Sequence, residues 1–234
     1  ATHILSGSAK KILGSHVWQA GAAKSLEKGR LDITHYDILS PEELKRIEDH
    51  ANAVIKQDIK VEKSVLPRAE AEKQHGFTLY QGGAVPGHEI RVVDIKDHDT
   101  EACGGTHLNN TGEAEQIRIT KASKVQDGII RLEFTAGAAA KREEGKTGDI
   151  LSEACRLLDT TPEFVAGRAQ ELFMKWKRAK KKKLPAEEFA LTSQDRVEGE
   201  PVPRLADILR TQPEHITKTI GKFQQQLAEL RKRI

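Results

Sequence analysis

The stretch Gly128-Ile129-Ile130-Arg131-Leu132-Glu133-Phe134 determines the fold predicted for the N-terminal part of this chain. Apolar and charged side chains alternate along it, as in a β-strand that buries one face. The preceding stretch Gln116–Ser123 also has the composition of a strand, and Lys124-Val125-Gln126-Asp127 joins the two. We therefore expect an antiparallel β-hairpin at this point in the chain.

Upstream of the hairpin, the pattern alternates between helices and strands. Ser40-Pro41-Glu42-Glu43 is typical of a helix start, with a capping serine, a proline in the first turn and a glutamate that completes a capping box. A first helix is expected from about Ile4 to Leu13, and Lys96–Thr106 is predicted as a loop. Strands are expected at His16–Ala22, Arg30–Tyr36, Ile59–Leu66 and Glu89–Asp94. Residues 1–140 are therefore predicted to form an α+β domain with a mainly antiparallel sheet.

Residues 141–234 have a different composition, rich in helix-forming residues. The helical pattern from Lys141 to Lys183 is interrupted at Thr160-Thr161-Pro162, and Thr192–Pro203 is predicted as a loop. A last helix is expected from Pro213 to about Arg231. Each helix has one apolar face, so we expect an all-helical, hairpin-like second domain whose remaining apolar face meets a partner chain.

Composition limits the functional classes. Charged residues make up 31% of the chain and aromatic residues only 4%. Two cysteines cannot build a disulfide framework, which favours a reducing, cytoplasmic setting, and no apolar run approaches the length of a membrane span. Residues 1–140 carry 18 basic and 20 acidic side chains, whereas residues 141–234 carry 20 basic and 15 acidic ones. The second part is therefore basic.

The basic run Lys177–Lys183 has two interpretations. It is either a phosphate-binding patch or a solvated helix end whose positive charges complement the helix dipole. No aromatic residues interleave with it in the sequence, so base stacking is not expected there.

The stretch Cys103-Gly104-Gly105-Thr106-His107 contains a candidate metal site. A thiolate and an imidazole four residues apart supply half of a tetrahedral Zn²⁺ site, and His3 is a candidate third ligand. Three protein ligands leave one position open for water or substrate, which predicts a catalytic rather than a purely structural site.

The candidate zinc residues belong to an ordered series of motifs that resembles the editing domain of alanyl-tRNA synthetases. The motifs are Ala1–Leu5, Gly14–Gly21, Arg30–Tyr36, Glu101–Leu108 and Gly128–Phe134. Their order and spacing agree with that family over roughly the first 140 residues, and Gln81–Gly87 points to its archaeal branch. The helical residues 141–234 resemble part of the oligomerisation region that follows the editing domain in these enzymes.

The resemblance implies a specific activity. It implies hydrolytic editing, which is deacylation of mischarged Ser-tRNA(Ala) and Gly-tRNA(Ala), within a cytoplasmic alanine–tRNA ligase. The implied partners are tRNA(Ala) bearing serine or glycine and a second copy of the protein, bound through the helical part. The implied cofactor is Zn²⁺. The first histidine of the family's His-x-x-x-His motif would fall four positions before His3, outside this chain, so we expect reduced zinc occupancy. The chain lacks the ATP-binding aminoacylation domain, and activation of alanine is not expected of it.

The resemblance also implies residue roles. The catalytic and metal-binding residues would be His3, Cys103 and His107. The substrate-binding residues would be Thr2, Gln19, Gly104, Gly105 and Arg131. Thr2 and Gln19 match positions that shape the amino-acid pocket, while the two glycine amides are candidate oxyanion donors. Arg131 matches a basic position that makes either a substrate contact or a structural ion pair.

Several alternatives remain open at the level of sequence. The metal either activates water or anchors the substrate for attack by a nearby water. A stand-alone trans-editing deacylase of the AlaX type has the same core, but it usually lacks so long a helical segment. The editing domain of threonyl-tRNA synthetase shares the His and Cys motifs but fits the Gln19 motif less well. A non-catalytic, zinc-stabilised oligomerisation module is a further alternative from a different class.

Overall fold

The computed structural model of the protein describes residues 1–81, 83, 85–181, 185 and 188–232. The chain divides into two compact units, Ala1–Glu143 and Glu144–Ile234. Among the described residues, no helix is both long and apolar enough to cross a membrane.

The first unit combines three helices with two antiparallel sheets. Its helices are α1 (Thr2–Leu13), α2 (Pro41–Lys56) and α3 (Arg68–His75). Its strands are β1 (Gln19–Lys24), β2 (Gly29–Thr34), β3 (Val61–Pro67), β4 (Glu89–Ile95), β5 (Asp99–Ala102), β6 (Ile117–Gln126) and β7 (Ile129–Ala136). One sheet has the strand order β1-β2-β7-β6 and the other β3-β4-β5. The predicted α+β class with antiparallel sheets is confirmed.

The hairpin predicted at Gly128–Phe134 is formed by β6 and β7, and it places β7 as a central strand of the four-stranded sheet with β6 at its edge. Strand β7 pairs with β6 on one side and β2 on the other, with Leu31 opposite Leu132 and Ile33 opposite Ile130. These four side chains are almost completely buried, so one face of the sheet forms the core of the unit. Helices α1 and α2 pack against each other and contribute to this same core.

The predicted capping of α2 is confirmed. Ser40 accepts from the Glu43 amide through its side chain, and the Glu43 carboxylate accepts from the Ser40 amide in return. Strand β1 begins at Gln19 instead of His16, because the chain makes a turn after α1 in which the Val17 amide donates to Gly14.

The predicted loop at Lys96–Thr106 is wrong in its middle, where β5 lies. Asp99 pairs with Ile95 and Ala102 with Val92 in an antiparallel register with β4. The strand is polar in sequence, but Glu101 is only 3% exposed. Because β5 buries carboxylates instead of apolar side chains, it lacks the alternation of apolar and polar residues by which strands are recognised in a sequence.

The second unit is helical. Besides the C-terminal part of α4 (Ala138–Leu158), it contains α5 (Val165–Lys180), α6 (Pro201–Leu209) and α7 (Ile216–Arg231). Helix α5 packs against both α6 and α7. The predicted loop at Thr192–Pro203 ends earlier than expected, because α6 already begins at Pro201. Pro201 needs no amide hydrogen bond in the first turn of a helix.

No aromatic residue lies within the basic run itself, but the fold brings aromatic rings next to it. The Trp176 ring stacks on Phe223 with centroids 4.3 Å apart, and the Lys180 ammonium lies 4.4 Å from the Trp176 ring centroid. The rings come from different helices, α5 and α7, so the sequence does not show them as neighbours. Lys182 and Lys183 of the basic run lie outside the described residues.

Candidate metal centre

Three side chains predicted as metal ligands converge in the first unit. His3 lies in the first turn of α1, Cys103 directly follows β5, and His107 lies four residues further along the same loop. One ligand atom from each lies within 4.8 Å of the others, and the two histidine Nε2 atoms are 3.1 Å apart. Two nitrogens bound to one tetrahedral Zn²⁺ at about 2.0 Å would be about 3.3 Å apart. The donor set and its spacing therefore fit zinc.

Two carboxylates support His3 from behind. The His3 Nδ1 atom lies 2.8 Å from Asp99 Oδ2 and 3.3 Å from Glu101 Oε2. With Nδ1 held by a carboxylate, Nε2 is directed towards His107 and Cys103. Metal-binding histidines are commonly oriented in this way, and the second partner fixes the tautomer that coordinates. Asp99, Glu101 and Cys103 are spaced two residues apart along an extended segment, which places them on one face.

Both supporting carboxyl groups are unusual in their acidity. Burial raises the pKa of Asp99 to about 7. Burial also raises the pKa of Glu101 to about 7, and the neighbouring charge of Asp99 adds to the effect. A cation bound beside His3 would favour the ionised form of both groups, because an opposite charge nearby offsets the cost of burying a carboxylate. The pair therefore fits a cation site.

The surroundings of Cys103 and His107 favour the deprotonated thiolate and the neutral imidazole, the forms that bind metal. A hydrogen bond from His3 lowers the pKa of the Cys103 thiol, and the Gly105 amide assists, against the opposing effect of burial. Burial lowers the pKa of His107 to about 4, with contributions from the charges of His3 and Arg91. A lowered thiol pKa and a neutral imidazole both favour coordination, since a bound metal displaces these protons.

Arg91 on β4 holds the Cys–His loop in place. Its Nη1 atom donates to the carbonyl oxygens of Cys103 at 3.0 Å and Gly105 at 2.6 Å. The Cys103 amide donates back to the Arg91 carbonyl at 3.0 Å. The loop is therefore tied to the three-stranded sheet at the point where it presents the thiol.

A cleft of about 260 Å³ opens beside the candidate ligands. Thr2, His3, Lys24, His107 and Phe134 are among its lining residues. The charge of Lys24 is near enough to lower the pKa of both Cys103 and His107. The cleft therefore combines a candidate metal, a buried hydroxyl and a fixed positive charge.

The remaining predicted substrate residues do not line this cleft. Arg131 forms a bidentate ion pair with Asp32, with distances of 2.8 and 3.0 Å, and strand alternation puts it on the face opposite Phe134. The backbone amide of Gln19 donates to the side-chain oxygen of Gln81 at 2.8 Å. Neither Gln19 nor Gly104 lines the cleft. Of the predicted substrate residues, Thr2 lines the cleft, and the Gly105 amide hydrogen-bonds the Cys103 thiol without lining the cleft.

Sequence reasoning missed four residues of this centre: Asp99, Glu101, Arg91 and Lys24. A signal for the first two was present, because acidic residues alternate at 99 and 101 directly before Cys103. Nothing in the sequence marked Arg91 or Lys24, whose roles depend on the pairing of β4 with β5 and of β1 with β2.

The sequence of this chain is similar to sequences of known proteins. The family described as the threonyl and alanyl tRNA synthetase second additional domain matches residues 90–133, from β4 to β7. The alanine–tRNA ligase of Methanopyrus kandleri is 45% identical over 182 residues, which are 78% of this chain and 20% of that protein. The ligase of Pyrococcus abyssi is 47% identical over 180 residues, 77% of this chain and 20% of the relative.

The chain is homologous to a segment of archaeal alanine–tRNA ligases. The resemblance inferred from the ordered motifs is thereby confirmed. The chain spans about a fifth of the length of these alanine–tRNA ligases.

Removal of the Asp99 carboxylate is expected to weaken zinc binding. We expect Asp99→Asn to weaken zinc binding about 10- to 100-fold, because an amide no longer holds His3 as a charged acceptor does. The matched control is Asp97→Asn, an exposed position whose left-handed backbone (φ 59°) tolerates asparagine. Competition with a chromophoric chelator measures both affinities. Equal affinities for the two variants would contradict the supporting role.

Proposed function

We propose that this chain hydrolyses the ester of mischarged Ser-tRNA(Ala) and Gly-tRNA(Ala), as the editing part of an alanine–tRNA ligase. The single observation that carries the proposal is the convergence of His3, Cys103 and His107, backed by buried carboxylates, at the edge of a cleft. Homology to alanine–tRNA ligases supports the choice of substrate. Such a site would serve the accuracy of tRNA charging. An aminoacylation pocket for alanine excludes serine by only about 10²-fold, so a second site that hydrolyses the wrong ester is needed to keep errors low.

The proposed residue roles follow from the site. His3, Cys103 and His107 would hold Zn²⁺, which supplies Lewis acidity at the ester or a more acidic bound water. Asp99 holds His3 in the coordinating orientation, and Arg91 holds the loop that carries the other two ligands. Lys24 supplies positive charge to a substrate whose terminal nucleotide carries phosphate.

Thr2 is the proposed selectivity residue. Its side chain is 6% exposed and lines the cleft directly beside His3. A hydroxyl there can hydrogen-bond the serine hydroxyl, which glycine lacks. Gly105 is the weaker candidate for oxyanion stabilisation, since its amide already donates to Cys103.

Replacing the Thr2 hydroxyl is expected to separate the two substrates. We expect Thr2→Val to slow hydrolysis of Ser-tRNA(Ala) by about 3- to 10-fold, the usual value of one hydrogen bond, and to leave Gly-tRNA(Ala) unchanged. Single-turnover deacylation of both substrates measures this, and the glycyl ester serves as the internal control. A uniform decrease for both esters would mean that Thr2 is structural.

The direct experiment compares Ser-tRNA(Ala) with Ala-tRNA(Ala) in the presence of zinc-loaded protein. Rapid hydrolysis of the seryl ester with a slow rate on the alanyl ester supports editing. Zinc binding with no hydrolysis of either mischarged ester would instead support a zinc-stabilised module without catalysis.

We further propose that this activity belongs to a cytoplasmic, homodimeric ligase, with the helical unit contributing to the dimer. Homology to alanine–tRNA ligases and the resemblance of residues 141–234 to their oligomerisation region support this proposal. The apolar faces of α5, α6 and α7 pack largely against one another within the unit, so they are not themselves evidence for a dimer. Sedimentation of the chain with and without residues 144–234 tests it, and identical oligomeric states would count against it.

A further inference from the structure

A groove of about 460 Å³ lies on the surface of the second unit. Helix α5 contributes Phe173 and Trp176, the end of α6 contributes Leu209 and Arg210, and α7 contributes Phe223. The groove takes no part in the proposed hydrolysis, whose residues all belong to the first unit.

The aromatic rings in the groove form a stacked platform. The Trp176 ring lies 4.3 Å from Phe223 and 5.8 Å from Phe173, measured between centroids. The indole Nε1 donates to Gln226 Oε1 at 2.7 Å, which fixes the plane of the ring. Phe223 is buried, whereas Phe173 and Trp176 are partly exposed. The platform is therefore ordered in advance and accessible from the groove.

Positive charge surrounds this platform. Lys177, Lys180, Lys181 and Arg210 line the groove together with the rings. The Lys180 ammonium lies 4.4 Å from the Trp176 centroid, and the Arg210 guanidinium lies 5.9 Å from that of Phe173. Among the residues that the structure describes, no carboxylate lines the groove or forms an ion pair with these four cations. Their charge is available to an anionic ligand.

We propose that this groove binds RNA, with phosphates at the four cations and one unpaired base on Trp176. Aromatic platforms beside lysine and arginine are the common means by which proteins hold single-stranded nucleic acid, since every base has a face to stack. Lys180 lies over the indole and moves aside to a phosphate when a base stacks there. A second copy of this chain is disfavoured as occupant, because it would place like charges opposite each other.

The proposal rests on the proposed function only for the source of the RNA, which is then tRNA. Its test uses RNA without an amino acid. Loss of hydrolysis with intact RNA binding would therefore overturn the editing proposal alone, and intact hydrolysis without binding at the groove would overturn this one alone.

Tryptophan fluorescence gives a direct readout, since the chain contains two tryptophans. In a Trp18→Phe protein only Trp176 emits, and a 12-nucleotide single-stranded pyrimidine RNA is expected to quench it on binding. The same sequence as a blunt duplex is expected to quench far less, because its bases are paired. A Trp176→Phe protein, in which only Trp18 emits, is the control and is expected to show no quenching.

Charge variants test the proposal while keeping the Trp176 ring and its stacking on Phe223. The affinity falls as salt rises. We expect the double variant Lys177→Gln with Lys180→Gln to make the negative slope of log affinity against log salt shallower by about 1.4, or about 0.7 for each lost phosphate contact. The matched control, Lys218→Gln with Lys232→Gln, removes the same charge from exposed positions outside the groove. Equal effects of the two pairs, an unquenched Trp176, or groove variants that alter only self-association would overturn the proposal.

Discussion

Cys103→Ala is expected to reduce hydrolysis of Ser-tRNA(Ala) by at least about 100-fold and to abolish stoichiometric zinc binding. The variant deletes the sulfur ligand of a three-ligand site and leaves two histidines to hold the metal. Removal of a residue that only hydrogen-bonds a metal ligand lowers metal affinity or activity by about 10- to 100-fold. Removal of the ligand itself is therefore expected to lower them by at least about 100-fold. Metal content by mass spectrometry and single-turnover deacylation measure the two effects.

Cys155→Ala is the matched control for this prediction. Cys155 is the second of the two cysteines, lies buried in the helical unit and belongs to no candidate metal cluster among the described residues. We expect this variant to keep both the zinc and the rate. A Cys103→Ala protein that loses zinc yet hydrolyses normally would show that the ester is cleaved without the metal.

Gly167→Ala is expected to destabilise the helical unit by about 1–3 kcal/mol. Gly167 is buried in α5, where a β-carbon would overlap the backbone carbonyl oxygen of Asp195. A backbone atom cannot rotate away as a flexible side chain can, so either the helix or the 195 segment must shift. Urea unfolding followed by Trp176 fluorescence, in a Trp18→Phe background, reports on this unit.

Gly221→Ala tests the same change where space is available. Gly221 lies within α7 and a β-carbon there meets nothing within 4 Å. Alanine is expected to stabilise this unit by up to about 1 kcal/mol, because glycine is the poorer helix former. The two substitutions should therefore differ by about 1–4 kcal/mol. Equal effects would mean that the close approach at Gly167 does not limit stability.

The first unit was predictable where local rules decide the structure. The capping box at Ser40 and the hairpin that ends in Gly128–Phe134 both depend on neighbouring residues, and both are present. Strand β5 was not predictable, because its buried carboxylates are stabilised by partners far away in sequence. His3 is the clearest example, lying 96 residues from Asp99.

The candidate ligands were predictable, but their surroundings were not. Cys103 and His107 carry a recognisable spacing, His3 was a candidate third ligand by residue type, and the resemblance to alanyl-tRNA synthetases implied the same three residues. The supporting contacts of Asp99 and Arg91 arise from the register between β4 and β5, which the sequence pattern does not contain. The aromatic groove was missed for a similar reason, since Trp176 and Phe223 meet only when α5 packs on α7.

If the proposed zinc site on His3, Cys103 and His107 hydrolyses mischarged tRNA(Ala), the rate must depend on bound metal. The most direct test strips the protein with a chelator and adds zinc back in known amounts while the single-turnover rate on Ser-tRNA(Ala) is measured. We expect a rate that is lost on stripping, rises in proportion to bound zinc up to one equivalent, and stays low on Ala-tRNA(Ala). An unchanged rate in the stripped protein, or zinc binding at one equivalent with no hydrolysis, would contradict it.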